Sequence, residues 1–120
     1  MQAVVETPGY LRNAETEGAT EQERAAIIDE LAQNPSKGEP MVGTGGARKF
    51  RFARPGRGKS GGYRIVSYYG GDDIPVFLLG LFSKGTKANL SRAERNDLRR
   101  ELVGMAADYR AGMKKRIRAV

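Results

Sequence analysis

Residues 47–69 read ARKFRFARPGRGKSGGYRIVSYY, and this stretch decides the fold that the sequence predicts. Over residues 48–52 phenylalanine alternates with basic residues, a period of two that is typical of a β-strand with one apolar face. Residues 63–69 are rich in β-branched and aromatic side chains and predict a second strand. Glycine and proline crowd residues 55–62 between them, so the whole stretch indicates an antiparallel hairpin with a basic loop.

The alternation assigns the side chains of the first strand to two faces. Lys49 and Arg51 share one face, while Phe50 and Phe52 share the other and are most simply core residues. Arg64 lies on the next strand, and neighbouring strands are about 5 Å apart, so it can converge with the two cations if the register allows. Cations that close repel one another, and a bound anion would relieve the repulsion.

Upstream of the hairpin the sequence predicts one strand and one helix. Residues 3–6 predict a short strand that ends at Pro8-Gly9, and Thr20 and Glu23 fit a capping box. That box opens a helix over residues 21–33, and residues 35–46 follow as a loop.

Downstream of the hairpin the sequence predicts a turn at residues 70–73 and a third strand over 75–82. This strand is apolar on both faces, which favours a central place in the sheet. Ser91 and Glu94 form a second capping box, which opens a long helix. The apolar stripe of that helix, as core or as an interface, comprises Leu98, Leu102, Met105, Tyr109, Met113 and Ile117. The order β-α-β-β-β-α predicts an α+β fold, a small antiparallel sheet packed by helices.

Composition excludes several classes of function. The 120 residues contain no histidine and no cysteine, which excludes histidine general bases, Ser-His-Asp triads, disulfide frameworks and thiolate zinc sites. The length predicts a single domain over residues 1–120. The N-terminus lacks the features of a signal peptide, and no apolar run approaches the roughly 20 residues of a membrane helix. We therefore expect a soluble cytoplasmic protein with no membrane partner.

The net charge of +7 is distributed unevenly. Residues 1–39 carry three basic and eight acidic side chains, residues 40–71 carry seven basic and no acidic ones, and residues 72–120 carry eleven and six. A block that contains cations alone is typical of a surface that binds a polyanion. An ordinary solvated basic face is the alternative.

The Gly58-Lys59-Ser60 step resembles the end of a nucleotide-binding P-loop, but its context does not. Ala53 stands where that motif has its first glycine, and a predicted strand, not a helix, follows. A P-loop delivers the phosphate to a helix N-terminus. The basic hairpin therefore predicts contact with another kind of phosphate.

Two segments together resemble the RelE/HigB toxins of bacterial type II toxin–antitoxin systems, in the RelE/ParE superfamily. They are GTGGARKFRFARPGRGKSGGYRIVSYY at residues 43–69 and VFLLGLFSKGTKANLS at residues 76–91. The resemblance implies a microbial-RNase-like fold and an endoribonuclease, a hydrolase of mRNA that acts on the ribosome and inhibits translation. It also implies a cognate antitoxin, and contact with DNA only through that antitoxin. It implies neither a metal nor a cofactor.

The resemblance also implies roles for individual residues. The family's catalytic cations match Lys49, Arg51, Arg64 and Lys84. The resemblance adds Lys87 as a second cation beside Lys84, and the basic hairpin itself supplies Arg48, Arg54, Arg57 and Lys59 as further RNA-binding residues. The arginines would hold the phosphate oxygens, with Lys49 as base and Lys84 as acid, or the reverse. Leu90 occupies the place of a C-terminal tyrosine that some members carry, and Tyr68, Tyr69 and Tyr109 remain as substitutes.

Three other functions stay open. The first is a protein on the same scaffold that blocks the ribosome or RNA without cutting, as the missing tyrosine would favour. The second is a topoisomerase inhibitor of the ParE branch, against which the paired cations argue. The third is a plain RNA-binding domain.

Overall fold

A computed structural model of the chain describes residues 2–54, 62–83 and 91–119, with side chains described as far as Gly112. A five-stranded sheet in the order β1-β5-β4-β3-β2 forms its centre. The strands are β1 Val4–Glu6, β2 Glu39–Pro40, β3 Ala47–Phe52, β4 Tyr63–Tyr68 and β5 Val76–Ser83. The helices are α1 Pro8–Glu17, α2 Glu21–Gln33 and α3 Arg92–Ala119. The α+β class is confirmed, as are the hairpin and the interior position of β5.

One helix was not predicted. Pro8-Gly9, interpreted above only as the end of a strand, lies in the first turn of α1. Thr7 caps that turn, because its side chain accepts a hydrogen bond from the Tyr10 amide at 3.3 Å. Proline suits the first turn of a helix, where no amide donor is needed. Gly18 ends the helix in the left-handed conformation, with a φ of 72°.

The sheet also differs from the prediction at both edges. β1 pairs in parallel with β5, so the sheet is mostly rather than wholly antiparallel. β2 is a two-residue strand inside the segment predicted as loop, and it pairs with Arg48 and Lys49 of β3. Gly38, with a φ of 105°, brings the chain onto β3 so closely that a Cβ there would lie 2.6 Å from the Lys49 carbonyl oxygen.

The glycine-rich turn before β3 closes around a buried threonine. The Thr44 hydroxyl donates to the Met41 carbonyl at 2.6 Å and accepts from the Ala47 amide at 3.1 Å. Gly43, with a φ of 82°, is one of three turn glycines with a positive φ. The turn thereby sets the point at which β3 begins.

Two apolar clusters lie on opposite faces of the sheet. The first packs under α1 and α2 and includes Tyr10, Ile27, Leu31, Phe50, Phe52, Tyr63, Ile65 and Leu78. The second packs under α3 and includes Ala47, Val66, Tyr68, Phe77, Leu102 and Ala106. Phe50 and Phe52 are therefore core residues, as predicted. Their strand neighbours Lys49 and Arg51 consequently point to the α3 face.

A β-bulge interrupts the pairing of β4 with β5. Val66 pairs with Gly80 and Ser67 with Leu78, which leaves Leu79 as the extra residue. Beyond the extra residue, each side chain of β5 points to the face opposite to the one that strict alternation would give it. Leu81 therefore joins the first cluster, while Phe82 packs against the second.

Helix α3 begins at the predicted capping box. The Ser91 hydroxyl accepts from the Glu94 amide at 3.1 Å, and the Glu94 carboxylate accepts from the Ser91 amide at 3.0 Å. Further along, Arg110 pairs with Asp73 at 2.7 Å and ties the helix to the turn between β4 and β5. The predicted stripe residues 113 and 117 lie outside the described side chains. None of the helices in the described ranges has the length and apolar character needed to cross a membrane.

Candidate nucleic-acid interface

The predicted cations of the hairpin meet on the α3 face of the sheet. Arg51 and Arg64 are Cα partners in the β3–β4 ladder, and Lys49 pairs with Val66, which belongs to the cluster under α3. Lys49, Arg51 and Arg64 therefore leave the same face from neighbouring positions, about 5 to 8 Å apart. The register of the hairpin is therefore the one that convergence of these three cations requires.

These cations line an open groove of about 440 Å³, together with Glu39 and Phe50. Arg51 is exposed, whereas Lys49 and Arg64 are half-buried. Helix α3 packs over Ala47 and Tyr68 at the opposite end of the two strands, and none of its described residues lines this groove. Planar guanidinium groups in such a position suit the paired oxygens of a phosphodiester.

Glu39 is a groove residue that the sequence interpretation missed. It stands just before the block that lacks acidic side chains, in a segment predicted as loop. Strand β2 places it directly opposite Lys49 and on the same face. The groove therefore contains a carboxylate as well as cations. In the sequence, Glu39 lies between Gly38 and Pro40, which are typical turn residues and do not indicate strand pairing.

Arg48 and Arg54 lie on the opposite side of the sheet from the groove. Arg48 donates to the Gly38 carbonyl oxygen at 3.1 Å. Arg54 pairs with Glu23 of α2 at 2.6 Å, and its guanidinium lies 4.9 Å from the centre of the Tyr63 ring. Both residues make contacts within the protein, and neither lines the groove.

Glu23 anchors the base of the hairpin to α2. The side chain is only 8% exposed and accepts hydrogen bonds from the Thr20 amide, Arg54 and the Tyr63 hydroxyl. Burial alone would raise the pKa of Glu23, but these hydrogen bonds outweigh it and hold the pKa below its ordinary value. Because Tyr63 precedes Arg64, this contact supports the strand from which Arg64 projects.

The close approach of the two strands explains one glycine of the GKSGG step. A Cβ at Gly62 would lie 2.7 Å from the Phe52 carbonyl oxygen, so a side chain there would force the strands apart.

Four predicted site residues, Lys84, Arg57, Lys59 and Lys87, lie outside the described residues, as does Leu90.

The tyrosines considered as substitutes lie away from the groove. Tyr68 is buried against Phe77, with ring centroids 6.5 Å apart, and Tyr109 meets the same ring edge-on at 6.0 Å. The described residues that line the groove include no tyrosine. Within residues 2–54, 62–83 and 91–119, no group of three metal-ligating side chains could hold a metal ion.

Comparison with known proteins agrees with this fold and with the sequence resemblance. The chain matches the family described as "RelE toxin of RelE / RelB toxin-antitoxin system" over residues 4–119. This chain belongs to the RelE toxin family. Membership makes it the toxin of a toxin–antitoxin system and implies a cognate antitoxin as its partner.

The RelE fold is also seen in a solved structure. An arginine-to-alanine double mutant of the E. coli toxin RelE in the free state is similar, with a TM-score of 0.50 and 16% sequence identity. The similarity covers 72% of this chain and 86% of that one. At this level of identity the match supports the RelE fold and leaves the chemistry to be argued from this chain's own residues.

Proposed function

We propose that this RelE-family toxin is a ribosome-dependent endoribonuclease that cleaves mRNA and thereby stops translation. We propose that it acts as a single domain in the cytoplasm, where ribosomes are. The observation that carries the proposal is the cross-strand pair Arg51 and Arg64, with Lys49 beside it, in an open groove. In this groove two guanidiniums can contact one phosphate. They would supply the charge stabilisation that RNA cleavage uses when no metal takes part.

The reaction follows from the groups available. The ribose 2′-oxygen attacks the adjacent phosphorus and loses its proton, the bond from phosphorus to the 5′-oxygen breaks, and that oxygen takes up a proton. The products are a 2′,3′-cyclic phosphate and a 5′-hydroxyl. Arg51 and Arg64 stabilise the charge that develops on the non-bridging oxygens.

The proton transfers fall to the remaining polar groups. Lys49 is the first candidate for the base. Lys84, which the family resemblance places among the catalytic cations, is the candidate for the acid or charge stabiliser, or the two roles are reversed. Glu39, opposite Lys49 in the ladder, adds a carboxylate that can accept a proton in the same groove. The ribosome would align the mRNA, which is consistent with a site of so few groups.

The test is to map new RNA ends on a defined mRNA in purified ribosomes, with and without the chain. We expect cuts within the mRNA that carry cyclic phosphate ends, and no cuts with Arg64→Gln. Translation arrest without new ends would instead support the second candidate, a non-cleaving ribosome inhibitor. The absence of tyrosine from the described groove lining favours that candidate. In cells induced to express the chain, DNA damage signalling without either effect would support a topoisomerase inhibitor.

A further inference from the structure

Helix α3 carries charges of opposite sign along the two edges of its buried face. Leu98 and Leu102 belong to the buried stripe. On one edge Arg95 donates to the Val42 carbonyl oxygen at 3.1 Å, above the glycine-rich turn. The other edge faces β5 and is acidic, and its members are Glu94, Asp97 and Glu101.

The acidic edge overhangs an apolar groove on the sheet, which we name the acidic-edge groove. It has a volume of about 270 Å³, and its apolar lining consists of Val66, Leu79, Gly80, Phe82 and Leu98. The β-bulge completes this floor, because Leu79 already shares the α3 face with Phe77 and the bulge brings Phe82 to the same face. A Cβ at Gly80 would lie 2.8 Å from the Phe82 ring, so glycine allows the ring to lie against the strand.

The chemistry of the acidic-edge groove fits a protein segment and opposes RNA. Of the described residues that line it, three are acidic and none is basic. Asp97 has a cation within reach, but Arg100 approaches only to 4.0 Å and both side chains are largely exposed, so that pairing is weak. A phosphate backbone would be repelled here, whereas aliphatic side chains flanked by lysine or arginine would be complementary to floor and rim.

The position of the acidic-edge groove couples it to the catalytic cations. Phe82 is the Cα partner of Arg64, and Val66 lies two residues beyond Arg64 on the same face. A segment bound on Phe82 and Val66 therefore stands beside Arg64. Such a segment would obstruct the approach of RNA without having to mimic RNA.

We propose that the acidic-edge groove is the docking site for a basic, aliphatic segment of the cognate antitoxin. The carboxylates at positions 94, 97 and 101 favour a basic segment over an acidic one. They form an acidic patch on a chain whose net charge is +7. This inference rests on membership of a toxin–antitoxin family and not on RNA cleavage. It therefore stands or falls separately from the proposed nuclease activity.

The experiment measures binding of residues 1–120 to the cognate antitoxin, by titration calorimetry. The test variant carries Asp97→Lys and Glu101→Lys, and leaves Glu94 in its capping box. The matched control carries Glu15→Lys and Asp29→Lys, two exposed acidic residues on α1 and α2 with the same change of net charge. Thermal unfolding of both variants shows that they are folded.

We expect the test variant to bind at least about 100-fold more weakly, because each reversal sets like charges against the segment. The control should bind within threefold of the unchanged chain. Reversing cations in the antitoxin segment should restore binding to the test variant. The proposal is overturned if test and control weaken equally, if neither weakens, or if the reversals change only RNA affinity or self-association.

Discussion

Arg51 and Arg64 stand directly opposite each other on adjacent strands, and both side chains leave the same face of the sheet. Like charges in this relationship destabilise an antiparallel pair. A chain under no other constraint would place an opposite charge or a neutral residue at one of the two positions. We therefore interpret the pair as a site for an anion, and its effects on stability and on anion binding can be separated by experiment.

Replacing either arginine with glutamine should uncouple activity from stability. We expect Arg51→Gln and Arg64→Gln each to reduce mRNA cleavage about 100- to 1,000-fold, the effect of removing one preorganised donor to a developing charge. Arg51→Gln should leave the melting temperature unchanged or higher, since it removes a repulsion. Single-turnover cleavage on programmed ribosomes and thermal unfolding measure the two effects. Arg12→Gln, an exposed cation on α1, is the control, and a loss of cleavage there would show that net charge alone is responsible.

Binding of RNA should depend steeply on salt. Three groove cations, Lys49, Arg51 and Arg64, should give a slope of log K against log salt of about −2 for a single strand. Arg64→Gln should make that slope shallower by about 0.7. Fluorescence anisotropy with a short labelled RNA between 50 and 300 mM salt measures both. A slope near zero would remove the groove as the RNA surface.

We expect Glu39 to oppose RNA binding, because its carboxylate lines the groove that we propose the phosphate enters. We expect Glu39→Gln to tighten RNA binding about three- to tenfold at low salt, with the gain shrinking as salt rises. Glu21→Gln on α2 makes the same change of net charge away from the groove and should change the affinity little. Weaker RNA binding by Glu39→Gln would contradict this placement of the carboxylate.

The Glu23 contact should stabilise the fold in a pH-dependent way. Because the pKa of Glu23 is lower in the folded chain than its ordinary value, its contribution is present above about pH 4.5 and is lost as pH falls through the folded-state pKa. We expect Glu23→Gln to reduce the free energy of unfolding by about 1–2 kcal/mol at pH 7 and by less at pH 3.5. Urea titrations at the two pH values measure the difference. Glu15→Gln, an exposed change on α1, should have no effect at either pH. An equal loss at both pH values for Glu23→Gln would mean that ionisation is not involved.

The local signals in the sequence were sufficient for the hairpin and for two of the helices. Period-two alternation separated Phe50 from Lys49, and the capping boxes at Thr20 and Ser91 fixed two helix starts. These features depend on residues close together in the chain. They could be predicted because the physics that produces them is equally local.

The features that were missed depend on pairing between residues far apart in the chain, or on residues that both end one element and begin the next. Nothing near Glu39 in the chain indicates that it pairs with Lys49. Likewise, the contact of Arg54 with Glu23 joins residues 31 positions apart, so no local signal indicates it. Pro8-Gly9 follows the end of a strand and also lies in the first turn of a helix, and only the end of the strand was predicted.

The parallel pairing of β1 with β5 has a consequence for how the chain matures. Val4 pairs with Val76, so the first strand has no partner in the sheet until nearly two thirds of the protein has been synthesised. Strands β3, β4 and β5 are joined by shorter connections and can associate first, because short loops close at lower entropic cost. We therefore expect β1 to dock late. A nascent toxin whose β5 has not yet left the ribosome would then have an unfinished sheet, and β1 could dock only after that strand emerges.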